Sequence, residues 1–407
     1  MGNEKSVHGH HHNQAPSAEH ESKQTHSVQK YQAAFDRLRG NKAGVDEAAL
    51  QERFGKELGH AMWMYLAQSS SAGALSLEQL SLKAGSLMGT STDVYVKLFI
   101  GDSVDKGSVL KLLHVCRAAA GAGFEPSDER FTDQLVESIV TECSNYQQVA
   151  AWKNRVCPGL CSSLQKLVLA AFSDSDLPLS AVDYNSDVFS QFQMWFVQCT
   201  LPPLYFPPQA STAQGETANK HWSPLYSSAE HGISVSRFEG NVFGYRGPTV
   251  TLLRLNDGSE LALAVDQEWR SSTQQWGGAD AVAMQLLPSF RLVDDLSGGV
   301  YLNFKMRGSP LGLTVGRDAR VPLFHVDADL GNIAAIEVWG CSGSATLQDQ
   351  QRLKQWQSRQ VEKHKKVPLP GKWEDNPDRY LLEMAGFGGN MREHHQHIEL
   401  YPISCEY

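Results

Sequence analysis

The chain has 407 residues, a formal net charge of −9, 41% hydrophobic and 20% charged residues. This length exceeds one ordinary domain and predicts two domains with tails. The negative charge gives no support to nucleic-acid binding, which needs a basic face. No apolar run reaches the ~18 residues of a membrane-spanning helix, and the N-terminus lacks the apolar core of a secretory signal.

Residues 1–27 are rich in His, Gln, Ser and Glu and almost free of apolar side chains. Such a segment cannot bury enough surface to order itself and reads as a disordered leader. It opens Met1-Gly2-Asn3-Glu4-Lys5-Ser6, which fits the N-myristoylation signal with Gly2 as acceptor. One myristoyl chain binds a membrane only weakly, with an association constant of about 10⁴ M⁻¹, so stable anchoring needs a second signal. Lys5, Lys23 and Lys30 are offset by Glu4, Glu19 and Glu21, and no cysteine stands near Gly2. The second signal is therefore expected to be a membrane-attached protein complex. His8, His10, His11 and His12 offer nitrogen ligands but read as part of a solvated linker.

Residues 28–205 carry a helical pattern. Asp46 can cap a helix running through Leu50, Phe54, Leu58 and Met62. Val109, Leu112, Leu113 and Cys116 fall at i, i+3, i+4 and i+7, and Leu164, Leu167, Val168 and Ala171 repeat that spacing. Phe131, Leu135 and Ile139 recur every four residues, and Phe189, Phe192 and Phe196 form another set near Trp195. These faces need one another to be buried, which predicts an all-α module. Within it, Asp102, Gly107 and Val109 occupy positions one, six and eight of an EF-hand loop. Calcium also needs oxygen ligands at positions three, five and twelve, which here are Val104, Lys106 and Leu113. The segment reads as a degenerate EF-hand that keeps the helix-loop-helix without the ion, or as a plain turn. Gly101-Asp102-Ser103 matches a lipase nucleophile block, but it lies between helices rather than after a strand.

Pro202, Pro203, Pro207 and Pro208, then a polar stretch, break the helical pattern, and 206–220 reads as a linker. Strands are predicted at Thr249–Arg254, Glu260–Val265, Ala281–Leu287 and Ile336–Trp339. Asn256-Asp257-Gly258 suits the turn between the first two, because Gly accepts a positive φ. Residues 345–366 read as a polar, solvent-facing helix. The seven cysteines, Cys116, Cys143, Cys157, Cys161, Cys199, Cys341 and Cys405, are odd in number and lack close framework spacing, which suits a reducing compartment. Cys157 and Cys161 have no further pair of ligands nearby in sequence, so neither a metal site nor a cofactor is expected.

His231, Ser234 and Asp266 contain the residue types of a hydrolytic triad, but nothing in their spacing favours one. Glu337 lies between Ile336 and Val338 on an alternating strand, facing away from both. It suits a buried hydrogen-bonding anchor or a partner-facing charge. Trp269, Trp276 and Trp339 are candidates for the core or for an interface. His394, His395 and His397 read as a solvated tail, in which Met391–Tyr401 carries a weak helical pattern.

His231-Gly232-Ile233-Ser234 with Phe238, then Gly247 to Arg254, Leu311 to Gly316, and Ile336-Glu337-Val338-Trp339 follow one another in an order that resembles the TLDc domain, over roughly residues 221–386. With Gly2 and the helical segment, the chain resembles the N-myristoylated, lysosomal, mTOR-associated branch of that family, whose helical module also looks EF-hand-derived. The resemblance implies an α+β protein: an N-terminal all-α, degenerate EF-hand-like module at 28–205, then a TLDc antiparallel β-sandwich with flanking helices at 221–386 and a tail at 387–407. It also implies a protein that is not an enzyme and that binds the V1 sector of the V-ATPase, with a part in mTOR signalling and a link to oxidative-stress resistance. It places the protein on the cytoplasmic side of a lysosomal, vacuolar or other endomembrane. Ser234, Glu337, Trp339 and Met391 are the candidate partner-binding residues. The chain departs from the family where a strand should carry Phe-Gly and has Glu260 to Val265, and where Val282 to Leu287 replaces an aromatic strand. Two other functions remain open: oxidation resistance through a reactive Cys341, and a membrane-trafficking adaptor working with small GTPases.

Overall fold

The structure is a computed structural model that describes residues 31–67, 73–173, 185–206, 222–318, 320–365, 381, 384 and 385. The leader with Gly2, most of the linker, Met391 and the C-terminal histidines lie outside the described residues. The chain divides into two compact units, Met1–Asp349 and Gln350–Tyr407.

The first unit starts with helices α1 (Gln32–Arg39), α2 (Glu47–Phe54), α3 (Lys56–Ala67), α4 (Leu77–Leu87) and α5 (Asp93–Phe99). They are followed by α6 (Lys106–Ala119), α7 (Asp128–Glu142), α8 (Tyr146–Val156), α9 (Ser162–Ser173) and α10 (Gln191–Thr200). Their starts follow from capping chemistry, in which a side-chain oxygen accepts an otherwise unpaired first-turn N–H. Asp46, Asp105 and Asn145 each do so, and Ser76 and Ser190 form reciprocal capping boxes with Gln79 and Gln193. The predicted apolar faces of α6, α7 and α9 are buried. The single helix expected after Asp46 is two, because Gly55 adopts φ 84° and ends α2. That left-handed conformation is one that Gly takes without steric cost.

The EF-hand outline at Asp102 does not form an EF-hand loop. Asp105 accepts the Ser108 N–H at 3.0 Å and starts α6 at Lys106, so Gly107 sits in the first helical turn rather than at a sharp bend. The paired-loop arrangement lies earlier. Between α1–α2 and α3–α4, Val45 and Leu75 exchange both backbone hydrogen bonds, at 3.1 and 2.8 Å, in an isolated antiparallel bridge. Gly44 permits this approach, since a Cβ there would stand 2.6 Å from the Leu75 carbonyl oxygen. Counted from Gln68, Gly73 and Leu75 fall at positions six and eight, while the ligand positions one, three, five and twelve hold Gln68, Ser70, Ala72 and Gln79. These residues offer no carboxylate to a calcium ion.

The sheet region contains β1 (Ser223–Ser227), α11 (Ser228–His231), α12 (Val235–Val242), β2 (Thr249–Leu255), β3 (Glu260–Val265), β4 (Val282–Leu287) and β5 (Arg291–Val293). It continues with β6 (Val300–Asn303), β7 (Gly312–Val315), β8 (Phe324–Val326) and β9 (Ile333–Gly340), and α13 (Gly343–Lys365) follows. One antiparallel sheet has the order β1-β9-β2-β3-β4-β5 and the other β6-β7-β8. The predicted turn joins β2 to β3, with Gly258 at φ 83°. β9 enters the six-stranded sheet between β1 and β2, placing Leu252 opposite Glu337.

Both faces of the larger sheet are covered. Val250, Leu252, Ala262, Ala264, Val282 and Met284 belong to the same core as the helices. Leu253, Leu263, Val265, Ile336 and Val338 pack with Val300, Leu302, Val315 and Val326 of the smaller sheet. This double burial explains why β3 is buried at every position and reads as a nearly continuous apolar run. The molecule is thus α+β, with the helices continuing the sandwich as a third layer.

The second unit contains α13 from Gln350 onward, where Trp356 and Val361 are exposed, as are Leu381 and Met384. The polar helix expected at 345–366 is present as α13.

Candidate functional site

Glu337 marks the place where the helical layer is fastened to the sheet. The pleat of β9 sends Ile336 and Val338 into the sandwich core and Glu337 to the helical side. Its side chain is 4% exposed. One carboxylate oxygen accepts the Asp187 N–H at 2.7 Å, and the other accepts the Ser186 hydroxyl at 2.7 Å and the Trp339 indole N–H at 3.2 Å. Ser186 in turn accepts the Val188 and Phe189 N–H groups, each at 3.0 Å. A buried carboxylate is stable only when its acceptor sites are filled this way.

A second set of bonds fastens the start of α10. Ser190 caps that helix and donates its hydroxyl to Asp128 at the start of α7, at 2.5 Å. The other Asp128 oxygen accepts the Glu125 N–H at 2.8 Å. Gln193 closes the capping box with its carbonyl oxygen and donates its amide to Glu260 on β3. Glu260 also accepts Arg254 Nε at 3.1 Å, and the Arg254 guanidinium donates to the Val188 carbonyl. These residues line a cleft of about 190 Å³. Asp128 and Glu260 are both held as acceptors, so these bonds tie the helices to the sheet.

The candidate residues from the sequence are distributed unevenly. Glu337 and Trp339 meet at the joint. Ser234 lies on the sandwich side, where it begins α12 without a side-chain capping bond, and its N–H donates to the Tyr226 hydroxyl at 3.4 Å. Gly232, two residues earlier, makes a turn at φ 69°. Gly2 and Met391 lie outside the described residues. His231 is engaged with the Ser227 backbone, and Asp266 accepts the Gly278 and Asp280 N–H groups, so each is spent locally. Trp269 and Trp276 are buried and meet edge to face, with Trp269 donating to Thr249 at 2.7 Å. Cys341 is buried in the core shared with the helices, and burial pushes its thiol far above the usual range. No group of three or more His, Cys, Asp or Glu fit for a metal occurs among the described residues.

Sequence reasoning missed Ser186, Gln193, Arg254, Glu260 and Asp128. Two signals were available. Ser190 and Gln193 have capping-box spacing, and Arg254 and Glu260 flank the Asn256-Asp257-Gly258 turn as a cross-strand pair.

Comparison with known proteins adds the family. The model of the TLDc domain matches residues 204–334. A curated relative from Colletotrichum graminicola, named "Restriction of telomere capping protein 5", is 25% identical over 251 residues, covering 42% of this chain and 40% of that protein. The protein of the same name from Leptosphaeria maculans is 25% identical over 271 residues, covering 44% and 43%. The one from Neurospora crassa is 40% identical over 60 residues, covering 15% and 10%. The chain spans about two fifths of the length of the first two of these relatives. The matched segment runs from the end of the helical layer through β8 to the start of β9: this chain carries a TLDc domain at residues 204–334.

Proposed function

We propose that the chain is a non-enzymatic regulator that binds the V1 sector of the V-ATPase through its TLDc domain. The match over residues 204–334 is the observation that carries this reading, because partner binding is what that domain's resemblance implies. The side chains with catalytic chemistry support it: Asp266, Glu337 and Cys341 are occupied or buried. In this reading the protein sits peripherally on a lysosomal, vacuolar or other endomembrane. A myristoyl group on Gly2 supplies one weak membrane contact and the pump supplies the second. A role in mTOR signalling rests on the branch resemblance given by Gly2 and the helical module.

The test is incubation of the full-length protein, with and without the lipid, with detergent-solubilised V-ATPase, followed by co-elution and ATP hydrolysis. Stoichiometric co-elution is expected, and the change in hydrolysis rate gives the sign of regulation. Absence of co-elution for both lipid states, with and without calcium, overturns the reading. A second reading follows from the relatives' shared name, which concerns restriction of telomere capping. With a net charge of −9, such a role would act through proteins rather than by direct nucleic-acid contact.

A further inference from the structure

Four thiols from three separate segments converge in the helical layer. Cys116 lies on α6, Cys157 and Cys161 bracket the turn between α8 and α9, and Cys199 lies on α10. The Cys116 and Cys161 sulfurs are 3.8 Å apart. The neighbouring Cys157 thiol, with burial and the charges of Cys157 and Cys161, raises the Cys199 pKa. Cys116, Cys157 and Cys161 are buried, whereas Cys199 is partly exposed. A cleft of about 590 Å³, lined by Pro158, Gly159, Cys199, Pro202 and Phe206, reaches Cys199 from outside.

The backbone is already arranged for a cross-link. Gly159, in the Cys157–Cys161 turn, donates its N–H to the Cys199 carbonyl at 2.8 Å. A Cβ on Gly159 would stand 2.9 Å from the Cys199 Cα, so only glycine lets the turn come this close. A disulfide requires the two sulfurs to approach to about 2 Å on backbones only a few ångströms apart. Between segments already hydrogen-bonded to each other, side-chain rotation supplies most of that movement.

We propose that Cys199 and Cys157 form a modification site, at which a hydroperoxide converts the two thiols into an intramolecular disulfide tying the 157–161 turn to α10. Cys199, the member the cleft reaches, loses its proton to water, and its sulfur attacks the O–O bond. One oxygen is transferred to give a sulfenic acid, and the other leaves as the alcohol, or as water when the oxidant is hydrogen peroxide. The Cys157 sulfur then attacks the sulfenic sulfur, the S–S bond forms, and the hydroxyl leaves as water with the proton from Cys157. Two thiols supply the two electrons that reduce the hydroperoxide, and no other reductant is needed.

The surroundings also set the speed. The hydrogen bond with Cys157, followed by burial, holds the Cys199 thiol well above the usual range. Cys116 is held up similarly, first by its bond with Cys161 and then by burial. Since the thiolate is the attacking species, the reaction is slow and responds to sustained rather than brief oxidant exposure. This suits a modification that records oxidising conditions and does not suit a peroxide scavenger. The proposal is independent of the V-ATPase reading.

The experiment exposes reduced full-length protein to hydrogen peroxide, blocks the remaining thiols with iodoacetamide, and maps non-reduced peptides by mass spectrometry. A linked Cys157–Cys199 peptide that accumulates with peroxide and disappears with dithiothreitol is expected. Cys157→Ser should leave Cys199 as a sulfenic acid that dimedone captures, and Cys116→Ser should leave the link intact. The wild-type map needs no variant to fold. The proposal is overturned if Cys157 and Cys199 stay alkylatable, if Cys199 oxidises while Cys157 remains free, or if Cys199 links elsewhere. It is also overturned if the protein as purified holds stoichiometric zinc on these thiols.

Discussion

Removing the Glu337 carboxylate tests whether the joint fastens the helices to the sheet. In Glu337→Ala, the Asp187 N–H and Ser186 hydroxyl lose acceptors at 2.7 Å, and the Trp339 indole loses a longer one. Hydrogen bonds to a charged group contribute about 1.5–3 kcal/mol each, so the two short ones amount to roughly 3–6 kcal/mol gross. Asp187 is exposed and can turn to water, and the variant no longer has to desolvate a carboxylate. These offsets bring the expected loss to about 2–3 kcal/mol. Glu337→Gln retains one acceptor, but its amide faces a Ser186 hydroxyl that already accepts two N–H groups. That variant is expected to lose about 1–2 kcal/mol. Urea unfolding of the full chain, followed by tryptophan fluorescence, measures both. A double-mutant cycle with Ser186→Ala isolates the pair and should show coupling of about 1 kcal/mol. Hydrogen exchange should quicken at the Val188 and Phe189 amides. A Glu337→Ala variant within about 0.5 kcal/mol of wild type, or additivity with Ser186→Ala, would refute the reasoning.

Two further substitutions probe the helical layer. An added Cβ at Gly59 would stand 2.5 Å from the Cα and N of Gln51, so Gly59→Ala forces α2 and α3 apart; urea titration should show a loss of about 2–3 kcal/mol. Asp46→Ala removes the α2 cap and should cost about 1 kcal/mol at neutral pH. The bond from Lys42, followed by that from the Ala49 N–H, holds the Asp46 carboxyl below its usual pKa. Its contribution is therefore complete above the ordinary carboxylate range and is lost as pH falls through the lowered value. The gap between wild type and variant should close in acid, and a pH-independent gap would show that the carboxylate's charge plays no part.

The legible parts of the fold were those whose signal is local. The faces of α6, α7 and α9 repeat within one helix, and β2 and β3 are flanked by a turn with a glycine at positive φ. β5 and β8 have three residues each, too few for a periodic pattern, and His325 interrupts the apolar character of β8. The EF-hand outline at Asp102 rests on a glycine and an apolar residue, Gly107 and Val109, whose spacing recurs by chance. What distinguishes the Val45–Leu75 pair is contact between two loops, which neither loop records alone. The candidate site is legible only in part for the same reason. Glu337 could be read as a buried anchor or an outward charge, but its two shortest hydrogen bonds come from residues 150 and 151 positions away in the chain.

The covered sheet limits how the TLDc region could meet any partner. A protein cannot dock on either face of β1–β9–β2–β3–β4–β5 without displacing the helices or the smaller sheet. The outer face of that smaller sheet remains: Tyr301, Thr314 and His325 alternate with its buried residues, and Thr314 and His325 are hydrogen-bonded at 3.0 Å. The loop around Ile233, which is exposed beside Ser234, remains as well. Glu337 becomes accessible only if the 186–190 segment leaves it. A partner that uses Glu337 must therefore bind more tightly to Ser186→Ala, which loosens that segment, than to wild type. A partner that uses the Ser234 loop or the outer sheet face must bind both equally. Comparing the affinity of the two proteins for the V-ATPase therefore separates docking on the surface from docking that opens the joint, since a ligand shifts an equilibrium only by its difference in affinity for the two states.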